Sequence, residues 1–525
     1  MSTCVSWRLP FAVTLLASFS MLAFGQQDSS QSLADLARKL RKDTTDEVRM
    51  TDADTKKLFE SVDTVFSFAA EDTGMPKHTA IKRRLVAKSD VEKFLNGRLA
   101  KEEYTQRFAE EELSMKKLGF LPRDFNLKDF LVKSTTQQVA GYYDEETKTI
   151  SLLNWVPSDR QEPILAHELT HALQDQNYDL RKWMKAALKP SVNGSPSGEG
   201  NDDGATARKA VVEGQAMVVY VDYILKPFGR NLEDTPGLIY EMEEPAVKAV
   251  ADSQMLHDAP MILRESGTFA YKEGLIFEGE LLHKGGKKMA FAGAFARPPR
   301  NSHEVLQPDA YINSEKLPSL GVPDLKQALG GQYDVFDSGG VGQLDVRAFL
   351  KQFGERKTAD DISSAWQGGA YLTFSRKDKA VAAPATTADL ALLYVSRWKT
   401  PQAAERFARF YAGAVALRYH SATAQPASAC TGSNCPVSSV QIATEEGSVI
   451  VEHWGDNRVI VSESFDTNTA ARVHSAVHDD TSGAHAEIYP QQEIAQRLYE
   501  IPAFRRFSEQ IGMKIAEEMA QSPHQ

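Results

Sequence analysis

The sequence is poor in cysteine, has no excess of basic residues and contains no long apolar run after its first 25 residues. It has three cysteines in 525 residues, and 60 lysines and arginines against 71 aspartates and glutamates, for a formal net charge of −11. A nucleic-acid binder needs a basic surface that neutralises phosphates, so this charge argues against that class. The length suffices for a sizeable core and about two or three domains.

Residues 1–25 are the one strongly apolar stretch, and we predict that they form a secretory signal peptide. Arg8 supplies positive charge, the run LPFAVTLLASFSMLAF is apolar, and AFG before Gln26 has the small residues of a cleavage site. The alternative is an uncleaved membrane anchor, since the run approaches the length that spans a bilayer. We expect an exported protein, periplasmic or extracellular, with no stable membrane insertion after cleavage.

The scarcity of cysteine limits the possible cross-links. Cys4 leaves with the signal peptide, and Cys430 and Cys435 remain in the Gly/Ser/Asn loop ACTGSNCP. Exported proteins meet oxidising conditions, so we predict a disulfide between these two. Zinc binding by the pair is the weaker interpretation, because the spacing is not C-x-x-C and no second pair follows.

The pattern of the chain predicts an α+β fold. Residues 26–75 have helical periodicity and form a predicted helical N-terminal segment. Residues 76–319 begin with strand-like and helical stretches, and QQVAGYYDEETKTISLL reads as a hairpin around a polar turn. Residues 320–525 mix strands and helices and are predicted to be a C-terminal α+β domain.

The stretch AHELTHALQDQ contains the order H-E-x-x-H on a predicted helix. At about 100° per residue, His167, Glu168, His171 and Asp175 fall within one sector of the helix. Apolar side chains occupy the opposing sector. The helix therefore has an apolar face to bury and a face that carries titratable groups.

This arrangement suits zinc chemistry. Imidazoles at i and i+4 can reach one ion, which leaves room for a third protein ligand and a water. Glu168 sits beside the ion without being needed as a ligand, so it can take a proton from that water. The alternative is a chance H-E-x-x-H on a surface helix.

The third ligand is predicted to be Glu213, in the segment VVEGQA. Glu213 lies in an apolar run that includes Val211, Val212, Ala216 and Met217, where an unpaired carboxylate is costly to bury. A carboxylate there completes a His, His, Glu site for one zinc ion per chain. The alternative is an ordinary helix carboxylate.

These motifs resemble those of gluzincins, the zinc metallopeptidases in which a helix with HExxH precedes a helix with a ligand glutamate. HELTHA is similar to the thermolysin-like form, and EGQA resembles the second motif of aminopeptidase N-like enzymes. Across about residues 80–400, the blocks VAGYYDEETKTI, LAHELTHALQDQNYDL, AVVEGQA, ARPPRNSHEVLQPDAY and SAWQGGAYL look like exported bacterial proteins described as metallopeptidases of uncharacterised function. The resemblance implies that residues 76–319 form a zincin-like catalytic domain.

Other residues are candidates for roles around this site. Metal-bound imidazoles usually donate their second N–H to a carboxylate, and Asp175 is one turn beyond His171, although a solvated aspartate is an equal alternative. The zincin resemblance implies an edge strand beside the cleft, where Gly141 allows close backbone approach and Tyr142 can contact a peptide. Tyr271 and His303 are candidate donors to the oxyanion of the tetrahedral intermediate, and for His303 a plain surface histidine is an equal alternative.

The predicted function is an exported zinc-dependent peptidase that acts on a peptide or protein substrate, with Glu168 as general base. Two alternatives stay open. One is a non-catalytic, metal-stabilised envelope binding or scaffold protein, and the other is a metallohydrolase of a non-peptide bond. Whether a metal site has an open coordination position separates enzyme from scaffold. The sequence leaves substrate preference and oligomeric state undetermined.

Overall fold

The structure is a computed structural model. Met50–Gln525 form one compact unit. The predicted signal peptide 1–25, Gly141 and Cys430 lie outside the described residues. The structure describes residues 51–87, 104–134, 142–145, 147–154, 158–186, 203–241, 254–318, 320, 322–377, 386–426, 435–479, 498–499 and 501–521.

The described part of the chain is rich in helix. In chain order the helices are α1 (Asp52–Thr73), α2 (Tyr104–Leu118), α3 (Leu127–Ser134), α4 (Ser158–Tyr178), α5 (Leu180–Ala186), α6 (Asp203–Leu225), α7 (Leu238–Glu241), α8 (Gln254–His257), α9 (Met261–Lys287), α10 (Ala294–Ala296), α11 (Ser302–Leu306), α12 (Pro308–Ile312), α13 (Lys326–Leu329), α14 (Gln343–Phe353), α15 (Arg356–Ser363), α16 (Pro401–Arg418), α17 (Thr467–Asp479) and α18 (Pro502–Gln521). A π-helical turn, Lys288–Gly293, joins α9 to α10.

The strands form two sheets. They are β1 (Lys82–Val86), β2 (Tyr142–Asp144), β3 (Thr149–Leu153), β4 (Tyr333–Gly340), β5 (Trp366–Arg376), β6 (Leu390–Trp398), β7 (Ala422–Gln425), β8 (Ser438–Thr444), β9 (Gly447–His453) and β10 (Arg458–Glu463). The first sheet has the order β1-β3-β2, with β1 parallel and β2 antiparallel to β3. The second has the order β4-β5-β6-β10-β9-β8-β7 and is antiparallel throughout. The predicted α+β class is confirmed.

Helix α4 follows the β2–β3 hairpin and buries its predicted apolar face. Leu165, Leu169 and Leu173 on that face are each at most 2% exposed. The spacing of four between these leucines places them on one side of a helix, so burying them turns the opposite side, with the histidines, towards α6.

Helix α6 is buried on nearly every side, as expected for a helix with apolar residues all round. It packs against α9 through a pair of glycines. A Cβ at Gly214 would overlap the main chain of Gly274, and a Cβ at Gly274 would overlap the carbonyl of Ala210. Only glycine permits this close approach of the two backbones, which sets the position of Glu213 beside α9.

The apolar core is continuous across residue 320. One cluster of buried side chains joins Leu58 of α1, Leu169 of α4 and Val211 of α6 to Leu344 of α14. The boundary predicted between residues 319 and 320 stays a prediction. Among the described helices, none combines the length and apolarity needed to span a bilayer.

Candidate metal centre

The side chains of His167 and His171 on α4 and of Glu213 on α6 converge. Oε2 of Glu213 lies 3.1 Å from Nε2 of His167 and 3.3 Å from Nε2 of His171, and the two Nε2 atoms lie 3.1 Å apart. A tetrahedral zinc ion with ligands at about 2.0–2.1 Å holds its ligand atoms about 3.3 Å apart. The two imidazoles and the carboxylate therefore fit a zinc ion in both chemistry and spacing.

The charge states of His167 and Glu213 suit a cation, whereas His171 must first lose a proton. Burial lowers the pKa of His167, which favours the neutral imidazole. Burial acts to raise the pKa of Glu213, but the charges of Lys209 and His171 outweigh it and hold this pKa well below its usual range. At His171 burial acts to lower the pKa, but the charge and hydrogen bond of Glu213, the charge of Glu168 and the hydrogen bond of Gln174 together raise it to about 9, so a cation that binds here displaces a proton.

Lys209 lies one turn before Glu213 on α6, and sequence reasoning missed it. Its Nζ is 2.5 Å from Oε1 of Glu213. The side chain of Lys209 is 21% exposed and that of Glu213 is 4% exposed. The i, i+4 spacing of an ammonium and a carboxylate was the available signal, because such pairs meet on a helix.

Gln174 contacts His171 at the position where Asp175 was expected to act. Oε1 of Gln174 lies 2.9 Å from Nδ1 of His171. Both residues are about one turn beyond His171, so the helical position alone does not distinguish them. The longer amide side chain of Gln174 reaches the ring.

Asp175 instead joins α4 to the β2–β3 hairpin. Its Oδ2 accepts a 2.8 Å hydrogen bond from the hydroxyl of Tyr143 and a 2.5 Å bond from Nζ of Lys148. Among the described contacts of Asp175, none is with an imidazole. Its observed role differs from the expectation because the hairpin brings two donors to its carboxylate.

Glu168 is held by the edge strand β2. The main-chain N–H of Tyr143 donates a 2.8 Å hydrogen bond to Oε2 of Glu168. The Glu168 side chain is buried, and burial raises its pKa to about 7. This carboxyl group can therefore exchange a proton near neutral pH. Tyr142 lies in β2, and its side chain is not among those described.

The two candidate oxyanion donors occupy different places. The ring of Tyr271 on α9 stacks on that of His167, with centroids 6.3 Å apart and planes inclined by 20°. Burial raises the pKa of Tyr271 well above its usual range, so its phenol keeps the proton that a donor needs.

His303 on α11 belongs to a different polar cluster. Its Nδ1 lies 2.7 Å from Oε1 of Gln343 and 3.3 Å from Nε2 of Gln307, and its ring lies near that of Trp366. Among the described contacts of His303, none is with His167, His171 or Glu213. The disulfide between Cys430 and Cys435 stays a prediction, because Cys430 lies outside the described residues.

Comparisons with known proteins bear on a different part of the chain. A family model described as a domain of unknown function (DUF8575) matches residues 332–474. No curated protein and no solved structure matches the chain. The matched residues include all seven strands of the second sheet, whereas His167, Glu168, His171 and Glu213 lie before them.

Proposed function

We propose that this protein is an exported zinc-dependent peptidase. The observation that supports it most directly is the spacing of the ligand atoms of His167, His171 and Glu213, each pair of which is 3.1–3.3 Å apart. A buried carboxylic acid, Glu168, follows the first histidine directly. A site that only stabilises a fold needs no such group, so its presence favours catalysis.

The surroundings of the site support a zincin-like arrangement. Strand β2 is at the edge of its sheet, and its main chain bonds Glu168 of the helix that carries the histidines. A peptide that adds to this edge as a further strand lies beside Glu168. The substrate class that this arrangement suits is an extended segment of a peptide or protein.

The residues have distinct roles in the proposed reaction. His167, His171 and Glu213 would hold the zinc, which would supply Lewis-acid chemistry towards a water molecule and the substrate carbonyl. Glu168 takes the proton of the attacking water and returns it to the leaving amine. The N–H of Tyr143 orients the Glu168 carboxylate, and the phenol of Tyr271 supplies a proton donor next to His167.

The test combines metal analysis with digestion of a peptide library by the mature protein. We expect about one zinc per chain. The Glu168→Gln variant should keep the metal and lose about 10²–10⁴-fold or more in peptide cleavage. The control is Glu162→Gln, on the same helix, where the glutamate contacts Tyr223 rather than the ligands.

The outcomes separate the alternatives. Retained cleavage by Glu168→Gln would refute Glu168 as the base, and a wild-type protein without zinc would refute the metal site. Bound zinc with no cleavage of any peptide would favour a metal-stabilised scaffold. Cleavage of a non-peptide substrate alone would favour the other hydrolase class.

A further inference from the structure

We propose that Gln174 and Gln215 are positioning residues that place the proton of His171 on Nδ1 and so leave Nε2 for a metal. This inference rests on the proposed metal site and adds to it the device that orients one ligand. Both glutamines are 0% exposed, Gln174 on α4 and Gln215 on α6. Each is thus a buried amide whose hydrogen bonds must be made within the protein.

Gln215 and Gln174 form a chain of hydrogen bonds, the glutamine relay, that ends at His171. Its amide groups are oriented by main-chain carbonyl groups, which only accept hydrogen bonds. Nε2 of Gln215 lies 2.8 Å from the carbonyl oxygen of Ala290 and 3.1 Å from that of Phe291. The amide group of Gln215 must therefore turn its NH₂ towards these carbonyls. Its Oε1 then faces the other way, as an acceptor.

The orientation of the Gln215 amide fixes that of Gln174, which in turn contacts His171. Its Nε2 lies 3.1 Å from Oε1 of Gln215 and 3.0 Å from the carbonyl oxygen of Val212, so both NH₂ protons are used. The remaining oxygen, Oε1, faces Nδ1 of His171 at 2.9 Å. Because that oxygen can only accept, Nδ1 must carry the proton.

This assignment matters because the two nitrogens of a neutral imidazole are interchangeable until a neighbour distinguishes them. Nε2 of His171 is the atom that faces His167 and Glu213. With one proton held on Nδ1, the proton that a binding cation displaces is the one on Nε2, whose lone pair then faces the cation. The relay therefore assigns Nε2, and not Nδ1, as the nitrogen that gives up its proton and binds the metal.

The relay begins at an irregular feature of the fold. Ala290 and Phe291 lie in the π-helical turn Lys288–Gly293, which follows Gly286 with its φ of 63° at the end of α9. In an ordinary α-helix these carbonyls would face the next turn, whereas here they accept from a side chain of α6. Single π-helical turns are frequent at functional sites. This turn supplies the acceptors that set the tautomer.

The experiment measures the zinc dissociation constant of the full chain by competition with a chromophoric chelator. Gln174→Leu and Gln215→Leu should each weaken zinc binding about 10–100-fold, the usual loss when the partner of a metal-bound histidine is removed.

The matched control is Gln161→Leu. Gln161 is another buried glutamine of α4, and its side chain bonds the main-chain N–H and carbonyl of Leu153. Its loss should reduce stability without changing the zinc dissociation constant. An equal loss of zinc affinity in Gln161→Leu would mean that the effect is general destabilisation, and it would overturn the relay.

A second readout does not depend on metal. In [¹⁵N]histidine-labelled, metal-free protein, the Nδ1–H resonance of His171 should exchange slowly with water, and His171→Ala assigns it by its disappearance. We expect the resonance in wild type and its loss in Gln174→Leu. Unchanged zinc affinity and an unchanged resonance in Gln174→Leu would overturn the relay. Failure of wild type to bind zinc would instead refute the proposed function, and the resonance would still decide on the hydrogen bond.

Discussion

Lys209 and His167 contact opposite oxygens of one carboxylate, that of Glu213. Nζ of Lys209 lies 2.5 Å from Oε1, and Nε2 of His167 lies 3.1 Å from Oε2. The ammonium group of Lys209 therefore balances the charge of the Glu213 carboxylate through Oε1 and leaves Oε2 facing the two histidines. Glu213 would therefore offer a metal one oxygen, Oε2, while Oε1 stays bonded to Lys209.

Lys209→Met should destabilise the metal-free protein by about 1–3 kcal/mol, because a buried carboxylate loses its charged partner. Zinc should remove most of this difference, since the cation replaces the ammonium as counter-charge for Glu213. Urea denaturation with a chelator and with excess zinc measures both values. An equal loss under both conditions would mean that Lys209 acts independently of the metal site.

Tyr143→Phe should weaken the attachment of the edge strand to α4. The variant loses the hydroxyl bond to Asp175 but keeps the main-chain N–H that bonds Glu168. We expect a stability loss of about 1 kcal/mol and lower kcat/KM for peptides. Tyr240→Phe, at an exposed tyrosine that bonds Glu280, is the control. The same fall in kcat/KM in both variants would contradict a role for this attachment.

Two buried carboxyl groups should make stability depend on pH. Asp72 at the end of α1 contacts Asp222 of α6, and Lys287 and Glu233 lie close by. Burial raises the pKa of Asp72. Burial, together with the charge of Asp72, raises the pKa of Asp222 to about 8. A carboxyl whose pKa is raised on folding stabilises the protein below its unfolded pKa of about 4, and that stabilisation is lost as pH rises through the folded value.

Asp222→Asn removes the group that ionises and keeps an oxygen that can accept the N–H of Leu232. The variant should therefore lose less stability than wild type between about pH 4 and pH 9. Denaturation curves across this range test it, with the exposed Asp124→Asn as control. A wild-type slope that Asp222→Asn leaves unchanged would show that the pair does not titrate in this range.

The buried ion pair of Arg418 and Glu463 should stabilise the second sheet. Nη1 of Arg418 lies 2.8 Å from Oε1 of Glu463, and the two side chains are 2% and 0% exposed. Arg418→Met leaves a buried carboxylate without its cation, so we expect a loss of about 3–5 kcal/mol. Arg409→Met, on the same helix, breaks an exposed pair with Glu405 and should cost at most about 1 kcal/mol. Thermal denaturation measures the two losses, and equal values would contradict the importance of burial.

The sequence alone was sufficient for features that depend on local geometry. A helix places residues i and i+4 on one side, so the spacing of His167 and His171 predicted that their rings share a face. Glu213 stood out because a carboxylate in an apolar run needs a partner. The α+β class followed from the alternation of helical and strand periodicities.

Other features of the site required the tertiary structure. Gln174 and Asp175 lie three and four residues beyond His171, so either could reach its ring, and the approach of α6 and of the β2–β3 hairpin assigns one to His171 and the other to Tyr143. The role of Gln215 depends on a π-helical turn that no local pattern in the sequence indicated.

Local periodicity thus determined which side chains share a face, because it depends only on the geometry of one helix. The partners of those side chains come from elements distant along the chain, and the packing of α4, α6 and α9 decided them. Hydrogen bonds between such elements depend on how closely the backbones approach, which is set at Gly214 and Gly274 by the absence of a side chain.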